Sequence, residues 1–251
     1  MTSLVMRLRY LLRGLVNQRR RRPVSAQNRT AKSLGEAWQQ ASIPQKQWEL
    51  VERQLAMLDD GKMSPEFEVF VRSIEAASSL NPELVTVLEI GCSSGYYGDV
   101  LRRYFPHVTY TGVDYSQAFV DFGRAKFPGF DLRRGDTTAL KMENREFDVV
   151  VSGSVLLHVL DWRQGVRESC RVARQVMVLH RTPVSTAVTT LFTKTAYGQK
   201  MVEWTFNEME LIESVHAEGF TLHSQWPVYE GSTLGSDPTL PNQFTYVFTR
   251  N

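Results

Sequence analysis

The residues best suited to chemistry cluster in one stretch, Val87-Leu88-Glu89-Ile90-Gly91-Cys92-Ser93-Ser94-Gly95-Tyr96. An apolar run ends there in a turn with two glycines, and a helical pattern begins near Tyr96. Glycine allows positive φ and lets a ligand approach with no Cβ in the way. The helix that follows offers free N–H groups at its start. A dinucleotide fingerprint needs G-x-G-x-x-G. The register here reads Gly91, Ser93, Tyr96, so a pyrophosphate ligand fits poorly. Twenty-three residues after Gly91, a second apolar run ends at Asp114, followed by Tyr115. A carboxylate so placed in a nucleotide-binding βαβ unit accepts hydrogen bonds from a ribose diol. Asp136 and Thr137 follow a third run, and Ser152 and His158 follow a fourth. Cys92 and Cys170 form no CxxC pair, and no His, Asp or Glu group has metal-ligand spacing, so a metal site is not expected. With no base near it in sequence, Cys92 reads as a small packing residue rather than a nucleophile.

The order acidic residue, glycine turn, Asp114, Asp136, fourth strand resembles the class I S-adenosylmethionine-dependent methyltransferases. Their first motif is an acidic residue followed by G-x-G-x-G. Here it reads Glu89-Ile90-Gly91-Cys92-Ser93-Ser94-Gly95, with Ser93 in place of the central glycine. The fourth strand, Phe147-Asp148-Val149-Val150-Val151-Ser152, leads through Gly153-Ser154-Val155-Leu156-Leu157 to His158, also in the family's texture. The resemblance covers about 85–180 and extends through the C-terminal strands. It implies S-adenosyl-L-methionine as cofactor, held by Glu89, Gly91, Cys92, Ser93, Gly95, Asp114, Tyr115, Asp136, Thr137 and Ser152. In it Asp114 binds ribose, and Asp136 with Thr137 reads the adenine edge.

Methyl transfer from a sulfonium is an in-line displacement, so the protein mainly aligns the reactants and excludes water. A general base is needed only for a poor nucleophile such as a hydroxyl. His158 is the candidate catalytic base, with a cofactor contact or a packing role as alternatives; His180 is the second candidate. The segment 181–206 is long for its place and rich in Thr and aromatics, as functional connections often are. Tyr197 and Trp204 are its candidate stacking groups, and 229–242 is a second rim candidate. The expected activity is a methyltransferase acting on a small-molecule, glycan or lipid-linked acceptor, with oxygen as the acceptor atom. A nucleic-acid methyltransferase using a basic arm and a non-catalytic cofactor-binding protein are the alternatives. Nucleic acid is disfavoured, because Ser152-Gly153-Ser154-Val155 stands where an Asn-Pro-Pro-aromatic tetrad would be.

These residues need a scaffold of alternating strands and helices. Short apolar runs at 85–90, 108–113, 130–132, 147–151 and 176–179 alternate with helical stretches at 96–105, 116–126, 138–143 and 161–173. That pattern predicts a parallel sheet covered on both faces. After a helix over 207–218, runs at 220–228 and 244–249 have no crossover between them and should pair antiparallel. The expected fold is α/β, a doubly wound, mostly parallel seven-stranded sheet with an antiparallel C-terminal edge hairpin and an N-terminal helical extension. The division reads as a basic arm and linker (1–34), a helical cap (35–80) and the methyltransferase domain (81–251).

Composition sets the outer bounds. The 251 residues carry 29 Lys+Arg against 27 Asp+Glu. Residues 1–35 hold eight Arg and Lys32 with no acid, leaving 20 bases against 27 acids in the remainder. No apolar run approaches the length of a membrane-spanning helix. Within 4–22, Leu4, Val5, Leu8, Leu11, Leu12, Leu15 and Val16 form a helical stripe, with Arg7, Arg9 and Arg13 off it and Arg19–Arg22 behind it. Three readings stand: a peripheral anchor on an anionic membrane surface, a helix packed on its own domain, or an Arg-rich transit peptide. The expected location is the cytoplasm, at the membrane in the first reading and an organelle in the third.

Overall fold

The computed structural model describes residues 22–26, 29–228 and 241–251. The basic stripe of 4–16 lies outside the described residues, as does most of the expected rim over 229–242.

A two-residue strand, Arg22–Pro23, pairs with Phe192 and Thr193, and three α-helices then precede the central strands: α1 (Arg29–Gly35), α2 (Ile43–Asp59) and α3 (Pro65–Leu80). Ser64 caps α3, its hydroxyl accepting from Phe67 N, and Pro65 opens the first turn, the favoured chemistry for a helix start. A run of strands and helices follows: β1 (Thr86–Ile90), α4 (Tyr96–Tyr104), β2 (Thr109–Asp114), α5 (Gln117–Lys126), β3 (Asp131–Arg134) and β4 (Phe147–Gly153). After α6 (Trp162–Val172) come β5 (Ala173–Ser185), β6 (Thr190–Ala196), β7 (Gln199–Asn207), α7 (Glu208–His216), β8 (Phe220–Pro227) and β9 (Asn242–Arg250).

The order β3-β2-β1-β4-β5 is parallel throughout, β9 runs antiparallel to β5, and β8 runs antiparallel to β9. β1 therefore sits between β2 and β4, where strand order reverses and α/β folds bind ligands. Strand alternation divides the core. Val87, Val149, Val151, Val176, Val178 and Val247 pack against Phe67, Phe70 and Ile74 of α3. Leu88, Ile90, Val150, Met177 and Leu179 pack against Trp162, Val166 and Leu211 of α6 and α7. Both faces of the central strands are buried, which is why they read as continuous Val/Ile/Leu runs.

Four expectations need correction. The 181–206 segment is an antiparallel hairpin, so the sheet has more than seven strands. Its two strands are joined by Tyr197-Gly198, both at positive φ (52° and 77°), the geometry of a two-residue hairpin turn. Thr190, Thr193 and Thr195, with Leu191 and Phe192, give β6 the β-branched and aromatic content that favours a strand. Second, β5 continues past the end of β4, because β9 pairs with it from Val176 to Val184. β7 joins its tip in parallel at Val184↔Phe206 and Ser185↔Asn207. Third, no helix forms over 138–143. Asp136 accepts hydrogen bonds from Thr138 N and Oγ1 at 2.8 Å each, and this local turn competes with a helix. Fourth, part of the stretch read as linker is helical, since Ala31 of α1 is buried against Leu191 and Val202 of the hairpin.

Candidate active site

The turn after β1 is tied to the end of β2. Gly91 N and Cys92 N both donate to Val113 O, at 2.7 and 3.0 Å. Gly91 has φ 68°, and a Cβ there would collide with Val155. Gly95, at φ 76°, starts α4. Ser93, which replaces the expected glycine, also sits at positive φ (48°), a region costly for a residue with a Cβ. Its polar groups are all engaged. Ser93 N donates to Asp114 Oδ2 at 2.8 Å, its hydroxyl donates to Gln47 Oε1 at 2.8 Å, and the same hydroxyl accepts from Ser94 N at 2.6 Å.

Asp114 ends β2 with its second oxygen, Oδ1, accepting from Ser116 N at 2.9 Å. Burial pushes its carboxyl up to about 6, against the lowering effect of those two backbone N–H groups. Glu89 lies one strand away, buried, and accepts from Tyr110 Oη at 2.5 Å. Burial pushes it up to about 8, opposed by the Tyr110 hydrogen bond and reinforced by the charge of Asp114. The absence of a side chain at Gly153 leaves room for Glu89 Oε1. Cys92 is fully buried, and its thiol is held well above its usual range by burial and by Asp114 and Glu89, which fits a packing role.

The other expected residues spread around this centre. Gly135 N donates to Asp114 O at 3.0 Å, bringing the Asp136-Thr137 turn alongside. Asp136 Oδ1 serves that turn internally, and Thr137 is buried. Ser152 is buried at the end of β4, opposite Ile90. Tyr115 is half-buried, its hydroxyl donating to Gly35 O at 2.8 Å.

His158 ends a 3-10 turn, Leu156–His158. Its Nδ1 lies 2.7 Å from Val202 O of β7. A carbonyl only accepts, so Nδ1 carries the proton and Nε2 keeps a lone pair. Burial, and then Lys194, hold the ring well below the usual histidine range, so it is neutral and basic only at Nε2. His180 is placed differently. It is fully buried, packed on Phe70 and Tyr97, with Nδ1 2.9 Å from Thr245 Oγ1 and Nε2 2.9 Å from Tyr97 Oη. Both nitrogens are committed, so the structure does not present it as a free base. Trp204 Nε1 donates to Val159 O at 2.9 Å, on the inner side of the hairpin.

Sequence reasoning missed the residues that close the site. Neither Trp38 nor Gln47 sits in a local motif that marks it as a site residue. The Trp38 ring lies 4.8 Å from His158, 5.8 Å from Tyr197 and 6.3 Å from Phe119. Val155 fills the space at Gly91, so the bend is not as free of side chains as its glycines suggested. The polar groups nevertheless fit an adenosyl cofactor. Ser94 Oγ and Ser116 Oγ, in the turns that follow β1 and β2, are buried with no hydrogen-bond partner among the described residues. Buried hydroxyls rarely stay unpartnered, and a nucleoside's ribose hydroxyls and ring nitrogens are groups that could satisfy them. Among the described residues no three His, Cys, Asp or Glu side chains group as a metal ion would require. None of the described helices is long and apolar enough to cross a membrane.

Residues 88–176 match the family model described as a methyltransferase domain. A probable S-adenosylmethionine-dependent methyltransferase of Mycolicibacterium smegmatis is 39% identical over 88 residues, covering 35% of this chain and 34% of that protein. A phthiotriol/phenolphthiotriol dimycocerosates methyltransferase of Mycobacterium tuberculosis is 33% identical over 90 residues, covering 35% of this chain and 33% of that protein. The chain thus matches about a third of the length of these relatives. The solved structure of 1,6-didemethyltoxoflavin-N1-methyltransferase of Burkholderia thailandensis, with 1,6-didemethyltoxoflavin and S-adenosylhomocysteine bound, superposes with a TM-score of 0.60 at 13% identity. It covers 92% of this chain and 95% of that one, a likeness of fold. Strand order, the motif series on β1, β2 and β4, and these matches make residues 88–176 a methyltransferase domain similar to those that use S-adenosylmethionine.

Proposed function

We propose that the whole protein is an S-adenosylmethionine-dependent methyltransferase acting on a hydroxyl of a small-molecule, glycan or lipid-linked acceptor. The observation that carries the cofactor side is Asp114, buried at the end of β2 and held there by Ser93 N and Ser116 N. When bound, the cofactor supplies a methyl carbon activated by its sulfonium. The chain does the rest. Asp114 accepts from the ribose hydroxyls, Glu89 places a carboxyl behind the glycine bend, and Asp136 with Thr137 borders the base. Gly91, Cys92, Ser93, Gly95, Tyr115 and Ser152 shape the cradle.

A hydroxyl acceptor is favoured by His158, whose Nε2 is the free basic atom on the β4 side. It takes the acceptor's proton as the oxygen attacks. The β6–β7 hairpin is then the acceptor wall. One relative is named a phthiotriol/phenolphthiotriol dimycocerosates methyltransferase, a name in keeping with this acceptor range. The division into 1–34, 35–80 and 81–251 is retained as a proposal, with the arm as a membrane anchor and the cytoplasm as its location.

Calorimetry with S-adenosylhomocysteine tests the cofactor side. Asp114→Ala should weaken binding more than tenfold, since losing a charged acceptor costs ~1.5–3 kcal/mol; unchanged affinity refutes the ribose assignment. Methyl-labelled cofactor in a fractionated lysate tests the acceptor. Label in the lipid, glycan or small-molecule pools supports the reading. Label in RNA or DNA favours the nucleic-acid alternative, and binding without transfer favours the non-catalytic one.

A further inference from the structure

The groups proposed to bind the nucleoside lie beneath the protein's own side chains. Ser93, Ser94, Asp114, Ser116, Thr137 and Ser152 are all shielded from solvent, and an N-terminal segment adds to the cover that Val155 gives the bend. The Trp38 indole reaches from Phe119 of α5, on the β2 side, to His158, on the β4 side. Because β1 lies between β2 and β4, the indole spans the end of β1, across the line a bound nucleoside would take. Gln47 reaches down to the Ser93 hydroxyl, Gly35 O receives the Tyr115 hydroxyl, and Ile43 packs with Phe119 and Met201. The hairpin tip latches the far side, with Lys46 Nζ donating to Tyr197 O at 3.1 Å and the Tyr197 phenol reaching Gln47.

We propose that residues 29–47 form a self-plugging lid, in which Trp38 and Gln47 occupy the adenosyl cleft and lift out before the cofactor enters. This rests on the cofactor reading above. One further observation bears on it: Trp38 Nε1 is buried with no partner among the described residues. An unsatisfied buried donor is costly, so the docked state carries a penalty that release into water removes. Such a plug is held by shape and by the latch, and it is poised to open. With the lid down, the same indole also packs on His158, so the candidate base is partly covered until the cofactor site opens.

A lid that competes with the ligand lowers apparent affinity by the fraction of molecules in the open form. The test uses the full chain, Trp38→Ala and Gln47→Ala, with S-adenosylhomocysteine as probe. Two readouts are taken: calorimetric affinity with stopped-flow association rate, and amide exchange of the ligand-free protein over 91–95 and 115–117. Trp38→Ala should tighten binding by about tenfold, speed association and raise exchange in both segments. Gln47→Ala should do the same to a smaller extent, and it serves alone should Trp38→Ala not fold. Unchanged or weaker affinity overturns the plug, since it would make the indole a contact of the bound nucleoside. Unchanged exchange overturns it as well. Should no form take up S-adenosylhomocysteine while exchange still rises, the plug stands and the cofactor reading falls.

Discussion

Glu89 should make the protein lose stability as the solution turns from neutral to mildly alkaline. Its carboxyl is raised from 4.5 to about 8 in the fold, chiefly by burial. Between those values the folded chain keeps a proton that the unfolded chain releases. Stability from this group is therefore full below pH 4.5 and is lost as pH rises through about 8, at ~1.4 kcal/mol per pH unit. Asp114 acts in the same sense, but only up to about 6. His158 and His180 act in the opposite sense. Both are held well below 6.5 by burial, so the unfolded chain takes up protons below pH 6.5 that the fold refuses. The window from pH 6.5 to 8 is thus governed by Glu89 among these four groups. It should cost about 2 kcal/mol across that interval, or roughly 4–8 °C in Tm for a chain of this size. Glu89→Gln keeps an acceptor for Tyr110 Oη and removes the titration. Urea unfolding at pH 6.5, 7.25 and 8 should show a midpoint that falls in the parent and stays level in the variant, with m unchanged. Equal slopes in the two proteins would refute the placement of a protonated carboxyl behind the bend.

Other outcomes follow from the same geometry. His158→Gln should leave S-adenosylhomocysteine affinity within about twofold while lowering turnover on a hydroxyl acceptor by roughly 10²–10⁴; unimpaired turnover removes the base. Phe206→Ala empties a fully buried site packed against Trp162 and should cost ~3–5 kcal/mol in chemical unfolding. Replacing Gly198, at φ 77°, with Val should destabilise the hairpin turn by roughly 1–2 kcal/mol, measurable as a lower Tm. Removing residues 1–21 should abolish sedimentation with anionic liposomes and leave cofactor affinity intact, because α1 and its contacts remain; equal liposome binding rejects the anchor.

The parallel core was legible because burial on both faces leaves its strands almost wholly apolar, and because Glu89, Gly91 and Asp114 fall where such strands end. The series β1, β2, β4 and the final antiparallel pair appeared where periodicity put them. The hairpin was not legible as strands. Half-buried residues with Thr, Lys and Glu on one face, such as Lys194 and Glu203, read as polar loop until a partner strand is known. The stretch 138–143 misled for the converse reason, since its apolar spacing was overridden by the Asp136 turn. The cover over the bend was invisible, because Trp38–His158 and Gln47–Ser93 join residues far apart in the chain with no local pattern to announce them. The substitution of Ser93 for glycine was visible, but its reason was not. The hydroxyl is used twice, by Gln47 and by Ser94 N.

The way β7 is anchored limits how the acceptor wall can change. Its last residues are fixed to the tip of β5 at Phe206 and Asn207, and Val202 O aims at His158 four residues earlier. Carbonyls in a strand point alternately to opposite edges, as side chains alternate between faces. Growth at the tip, one residue per strand, leaves that aim untouched and reshapes only the rim. A single insertion between Val202 and Phe206 would swing the carbonyl away and release the imidazole to its other tautomer. Relatives with hairpins of other lengths should therefore differ by even numbers of residues, added or lost at the Tyr197-Gly198 end.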